Sequence, residues 1–135
     1  MNIFIFGNGN IRFSDFLEFY EKPLRKYSTQ AHVSFSVCDF RGVDILIMEL
    51  LKSVTQNVTL YHIGERPRYL PDQYKTTVGQ WQLCGGFADD RQRDLTAIEN
   101  CTHFLARDFN SSSQRKSGTL SNIELCEKLD KVRIT

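Results

Sequence analysis

The sequence predicts a three-layer α/β/α domain on a five-stranded parallel sheet, with strands in the order 3-2-1-4-5. Two observations lead there. Short apolar runs of β-favouring residues alternate with stretches whose apolar residues recur at helical spacing. The connections through the first half are short, as in strands joined by right-handed helical crossovers. At 135 residues, with no repeat and no linker, the chain (1–135) is read as one domain with a core of its own.

The first strand is Asn2 to Phe6, an apolar run that stops at Gly7-Asn8-Gly9-Asn10. Glycines in that turn allow backbone to come close to a ligand. A helix starts at Ser14-Asp15, carries Phe16, Leu17, Phe19 and Tyr20, and runs to about Lys26, with Pro23 as a kink or a restart. Val33 to Val37 is the second strand, and Cys38-Asp39-Phe40-Arg41-Gly42 leads into an apolar helix, Val43 to Ser53. Val58 to Ile63 is the third strand. From Gly64 to Phe87 the rhythm breaks, with Pro67, Pro71, Gly79, the lone Trp81 and Gly85-Gly86. A connection this long usually has a function or contacts of its own. It leaves room for a small extra strand at Val78 to Cys84. Asp89-Asp90 caps a helix from Arg91 to Glu99, which leads into a buried strand, His103 to Ala106. A polar loop, Asp108 to Ser117, then opens at Gly118-Thr119 into a helix carrying Leu120, Ile123, Cys126 and Leu129. Thr119 is the expected cap. Val132 to Ile134 is placed as a fifth, edge strand.

Composition narrows the function. A formal net charge of +1 argues against a dedicated nucleic-acid binder. No apolar run has membrane-spanning length, and the start lacks the basic flank of a signal peptide. Cys38, Cys84, Cys101 and Cys126 form no CxxC pair and are read as reduced, mostly buried thiols of a cytoplasmic protein. Neither they nor His32, His62 and His103 have metal-ligand spacing, so neither metal nor cofactor is expected.

In a parallel sheet the loops leaving the carboxyl ends of the strands share one edge, and ligands bind in the crevice there. That edge collects Gly7, Asn8 and Gly9, then Asp39, Arg41 and Asp44, then Asn110, Ser111, Ser113, Arg115, Lys116 and Gly118-Thr119. Arg91 and Arg93 reach it if their helix begins nearby. Arginines, small hydroxyls and a helix N-terminus on one rim describe a site for a phosphorylated polar ligand.

Gly7 after the first strand, Arg41-Gly42-Val43-Asp44, Arg93-Asp94 before Leu95, and Gly118-Thr119 before a helix together resemble the SLOG superfamily of Rossmann-like proteins. It includes the Lonely Guy phosphoribohydrolases, the lysine-decarboxylase-like proteins and the YspA/YpsA-related proteins. The Arg-Gly-Val-Asp stretch is most similar to the YspA-like branch, which usually has glycine where Cys38 stands. Nucleoside 2-deoxyribosyltransferase-like proteins have a related sheet. The resemblance implies a Rossmann-like fold and a nucleotide-like ligand. It puts Arg93 at the position of an arginine that acts on substrate, and Gly42 and Asn122 among the ligand-binding positions. Where the phosphoribohydrolases carry their catalytic Glu, this chain has Asn122. Glu124, the remaining candidate acid on that helix, is turned from it by roughly 200°.

Three functions follow. The first is a module binding a nucleotide or nucleotide derivative, with Asp44 accepting a ribose hydroxyl or orienting Arg41. The second is an N-glycosidic hydrolase or transferase acting on nucleoside monophosphates, using Arg93 and Glu124. The third is an interaction protein whose site has decayed. Because the helix Val43 to Ser53 is apolar nearly all round, a homodimer through it is expected, unless the segment from Gly64 to Phe87 covers it.

Overall fold

Six parallel strands build the sheet in a computed structural model that describes residues 1–135. They are β1 Asn2–Ile5, β2 Ser34–Cys38, β3 Val58–Ile63, β4 Gln82–Phe87, β5 His103–Leu105 and β6 Val132–Arg133. The order is β4-β3-β2-β1-β5-β6. The five expected strands keep their expected mutual order, but the expected count of five is corrected to six. The added strand, β4, pairs parallel to β3 at the sheet edge. The sequence left room for it at Val78 to Cys84, but Val78–Gln80 forms a 3-10 turn and the strand begins later and runs on through Gly85-Gly86, which reads as a turn. Tertiary packing explains the first glycine, since a Cβ on Gly85 would lie 2.0 Å from His62 Cε1.

The first helix is continuous but uneven: α1 Phe13–Phe16, a π-helical turn Leu17–Glu21, and α2 Lys22–Leu24. Lys22 N–H donates to Leu17 O, five residues back, and the widened turn delivers the chain to Pro23, which has no N–H to place. The other helices are α3 Val43–Leu51, α4 Asp90–Asn100 and α5 Gly118–Lys128. Asp89 caps α4, its carboxylate accepting from Gln92 N–H at 2.8 Å. The cap of α5 is Ser117 rather than Thr119, its Oγ accepting from Leu120 N–H at 3.0 Å.

Strand alternation separates two cores. Ile3 and Ile5 face Phe16, Tyr20, Leu24, Ile47 and Leu51 on one side of the sheet. Phe4 and Phe6 face Ala97, Ile98, Ile123 and Cys126 on the other. Burying each such side chain contributes about 1.5–3 kcal/mol. No helix is long and apolar enough to cross a membrane.

The chain passes from β3 to β4 without an α-helix, through one 3-10 turn, Val78–Gln80. That crossover lies on α3. Thr77 N–H donates to Lys52 O at 2.7 Å, and Trp81 Nε1–H to Thr55 O at 3.1 Å. Tyr69 and Leu70 join Ile45, Leu46 and Leu50 against the same core. The crossover thus lies against the apolar surplus of α3 on which the homodimer expectation rested, with Ile45, Leu46 and Leu50 partly buried.

Candidate functional site

The loops after β1, β2 and β5 surround a cavity of about 280 Å³, and the start of α4 closes its side. Its first wall is the turn after β1. Gly7 and Gly9 are glycines there for packing: a Cβ on Gly7 would lie 2.3 Å from the Tyr20 hydroxyl oxygen, and one on Gly9 2.9 Å from Arg41 Nε. Gly42, at φ +78°, backs this turn, where any Cβ would lie 2.4 Å from Asn8 O. The β1 turn and the N-terminus of α3 thus form one packed unit, with Val43 N–H donating to Asn8 O at 3.3 Å.

Asp108 joins this unit to α5. It accepts from Asn8 Nδ2 at 3.0 Å and from the Ser117 hydroxyl at 2.7 Å, while Asn110 and Ser111 N–H groups close an Asx-type turn on it at 3.2 Å. Burial alone would raise its pKa, but these donors outweigh it and hold the carboxyl well below the usual range. The result is a fixed N-terminus for α5. Leu120 N–H is taken by the cap, whereas the N–H groups of Gly118 and Thr119 donate to no protein acceptor. Both residues line the cavity, and nothing lies within 4 Å of where a Gly118 Cβ would be. Arg41 and Arg115 line it too, and neither forms an ion pair.

The opposite wall is acidic. Arg93, 3% exposed, is held by three carboxylates, one from the loop after β2 and two from its own helix. Its Nη1 lies 2.9 Å from Asp39 Oδ1 and 2.8 Å from Asp90 Oδ1, and its Nη2 2.9 Å from Asp94 Oδ1. Arg68, from the crossover after β3, braces the same group, its N–H, Nε and Nη2 donating to Asp39 at 3.0, 3.2 and 3.0 Å. Burial raises the Asp39 pKa, but the Arg68 donors and the Arg93 charge more than offset it and keep it below the usual range. Asn122 Nδ2 donates to Asp94 Oδ2 at 2.9 Å, and Arg91 Nη1 donates to Asn122 Oδ1 at 3.4 Å. Asp44 sits fully inside this wall, and burial lifts its pKa to about 7.

The fold therefore gathers Gly7, Asn8, Gly9, Arg41, Asp44 and Arg93 with Asn110, Arg115, Gly118, Thr119 and Asn122 around one cavity. It does not gather the other expected residues. Gly42 acts behind the wall, and the Ser111 hydroxyl accepts from Ser117 N–H at 3.0 Å to shape the loop. Ser113 and Lys116 are exposed. Lys116 Nζ pairs with Glu124 Oε2 at 2.7 Å, and Glu124 lies on a separate groove of about 990 Å³ beside β6, not in the cavity. Glu124 therefore lies outside this cavity, the helical turn between 122 and 124 carrying it to another face. Asp39 is expected on the ligand edge and Asp94 beside Arg93, but Asp90, Arg68, Asp108 and Phe40 are not among the expected site residues. Asp108 had a local signal, an Asp opening a serine-rich turn. Arg68 had none, since its reach to Asp39 spans 29 residues of aperiodic chain.

No protein-family model, curated protein or solved structure matches this chain.

Proposed function

We propose that the chain binds a nucleotide or nucleotide-derived phosphorylated ligand in this cavity. The observation that carries the reading is the pair of unsatisfied N–H groups at the start of α5, open to the same space as the unpaired Arg41 and Arg115. Helix N-terminal N–H groups with two free guanidinium groups suit a phosphate oxygen set. On the wall opposite, the Asp90 and Asp94 carboxylates suit the hydroxyl groups of a sugar. Arg93 is a brace for that wall, because its charge is already matched by carboxylates. This assignment agrees with the Rossmann-like, SLOG-type resemblance in the sequence and narrows it to binding.

N-glycosidic cleavage is the weaker reading. The position expected to hold the acid is Asn122, whose amide is occupied by Asp94 and Arg91. An amide can orient a hydroxyl but carries no charge for an oxocarbenium-like state.

The test is thermal shift against nucleoside mono- and diphosphates. At a hundredfold excess over Kd, binding should stabilise the wild type by about 2.7 kcal/mol. Arg41→Ala and Arg115→Ala should fold normally and lose most of that shift. A wild type that no nucleotide stabilises, or variants that respond as the wild type does, would refute the reading.

A further inference from the structure

Asp44 is a buried carboxyl that the ion network leaves out. It lies in the first turn of α3, is 4% exposed, and lines the cavity. One oxygen, Oδ2, accepts from Phe40 N–H at 3.0 Å. The other accepts no hydrogen bond from the protein. No buried polar side-chain atom is sealed away without a partner, so this second oxygen looks into the cavity. No cation lies within ion-pair distance of Asp44. Arg93, the nearest in charge, spends its donors on Asp39, Asp90 and Asp94.

We propose that Asp44 serves the cleft as a neutral carboxylic acid, donating a hydrogen bond to an oxygen of the anionic ligand, so that binding takes up one proton. This rests on the phosphate-ligand reading and adds the group that completes it. A carboxylate without a counter-ion in a desolvated site returns to its acid form, and the acid is then a donor. The groups around it agree. From β2 comes the neutral Cys38 thiol, and from the loop after it the Asp39 carboxylate and Phe40 N–H. From α4 come Arg93 and Asp94, and from the π-helical turn the un-ionised Tyr20 phenol. Burial is the largest influence and favours the acid. Phe40 N–H and Arg93 oppose it, and the charges of Asp94 and Asp39 favour it again, placing the empty-site titration at about 7. Arg41, on the same cavity, is free to follow the ligand. An incoming oxyanion disfavours ionised Asp44 further, so the proton is drawn from solvent to Asp44 and no bond in the ligand changes.

The experiment is calorimetry with adenosine 5′-monophosphate at about pH 8, above its own phosphate titration near 6, in two buffers of different ionisation enthalpy. The wild type should take up a proton on binding. Its affinity should then fall, by up to about tenfold per pH unit, above the titration of the free carboxyl and level off where the bound acid itself ionises. Asp44→Asn, whose amide keeps a donor, should show no uptake and little loss of affinity from pH 7 to 9. Adenosine without phosphate should produce no uptake. In parallel, carboxyl carbon NMR of the ligand-free wild type, with Asp44 identified by its loss in Asp44→Asn, should show a midpoint near 7. Binding with no proton uptake, equal uptake with adenosine, or an Asp44 midpoint at ordinary aspartate values overturns this proposal and leaves the phosphate site standing. No binding by either chain at any pH removes both.

Discussion

Arg93 shows how far a side chain's role depends on its neighbours. As a lone arginine near a ligand edge it reads as a substrate contact. In the folded chain it is a buried cation shared by Asp39, Asp90 and Asp94. Removing one partner of such a group leaves uncompensated buried charge, at a cost of about 3–5 kcal/mol. Arg93→Ala should therefore lower stability by that order in urea denaturation at neutral pH. The loss should shrink on acidification. Asp39 is held below its ordinary pKa, so the stability it contributes is present above that ordinary value of about 4 and is lost as pH falls through its folded value. A penalty unchanged between pH 7 and pH 3 would mean that the carboxylates are not what Arg93 holds. Asn122 follows the same logic. An acid placed there would stand beside Asp94, now 2.9 Å from the amide, so the two carboxyls would share a proton rather than restore a single charged site.

At the level of elements, α5 decides the site because its start is locked from several directions. Ser117 accepts from Leu120 N–H, donates to Asp108, and is met by Ser111. Thr119 makes one longer contact, from Asn8 Nδ2 at 3.3 Å. A capping hydroxyl contributes about 1 kcal/mol, and up to about 2 in a well-ordered site. Chemical denaturation should show Ser117→Ala losing about that much and Thr119→Val clearly less. The reverse order would return the cap to Thr119 and shift the helix start by two residues. The glycines of the β1 turn need the same distinction. A Gly7 Cβ would strike the Tyr20 hydroxyl, which donates to Phe6 O and accepts from Arg107 N–H, so that glycine answers to packing before any ligand.

The molecule as a whole is closed by the crossover between β3 and β4. It covers α3, supplies Arg68 to the acidic wall, and carries the only tryptophan into the core. If it is part of the cooperative unit, Trp81 fluorescence and far-UV circular dichroism should report one coincident unfolding transition. Trp81→Ala should cost about 3–5 kcal/mol. An earlier fluorescence transition would make the crossover a separate, weaker layer.

The mutual order of β1, β2, β3, β5 and β6 was legible from the sequence, as were α3, α4, α5 and most of one cavity wall. Each has a local cause. Apolar period says which face is buried, glycines and small hydroxyls mark turns and caps, and parallel connectivity sends the loops after β1, β2 and β5 to a common edge. Tertiary structure decided where the extra strand, for which the sequence left room at Val78 to Cys84, runs: it is Gln82–Phe87, passing through Gly85, whose missing Cβ leaves space for the His62 imidazole. It alone decided that Arg93 meets Asp39 across 54 residues, that Arg68 braces that pair, that Glu124 turns to another groove, and that Asp44 is left without a cation. Secondary structure is a property of neighbours along the chain. Charge matching is a property of neighbours in space, and a carboxylate's partner, and with it the carboxylate's protonation, exists only once the strands are in order.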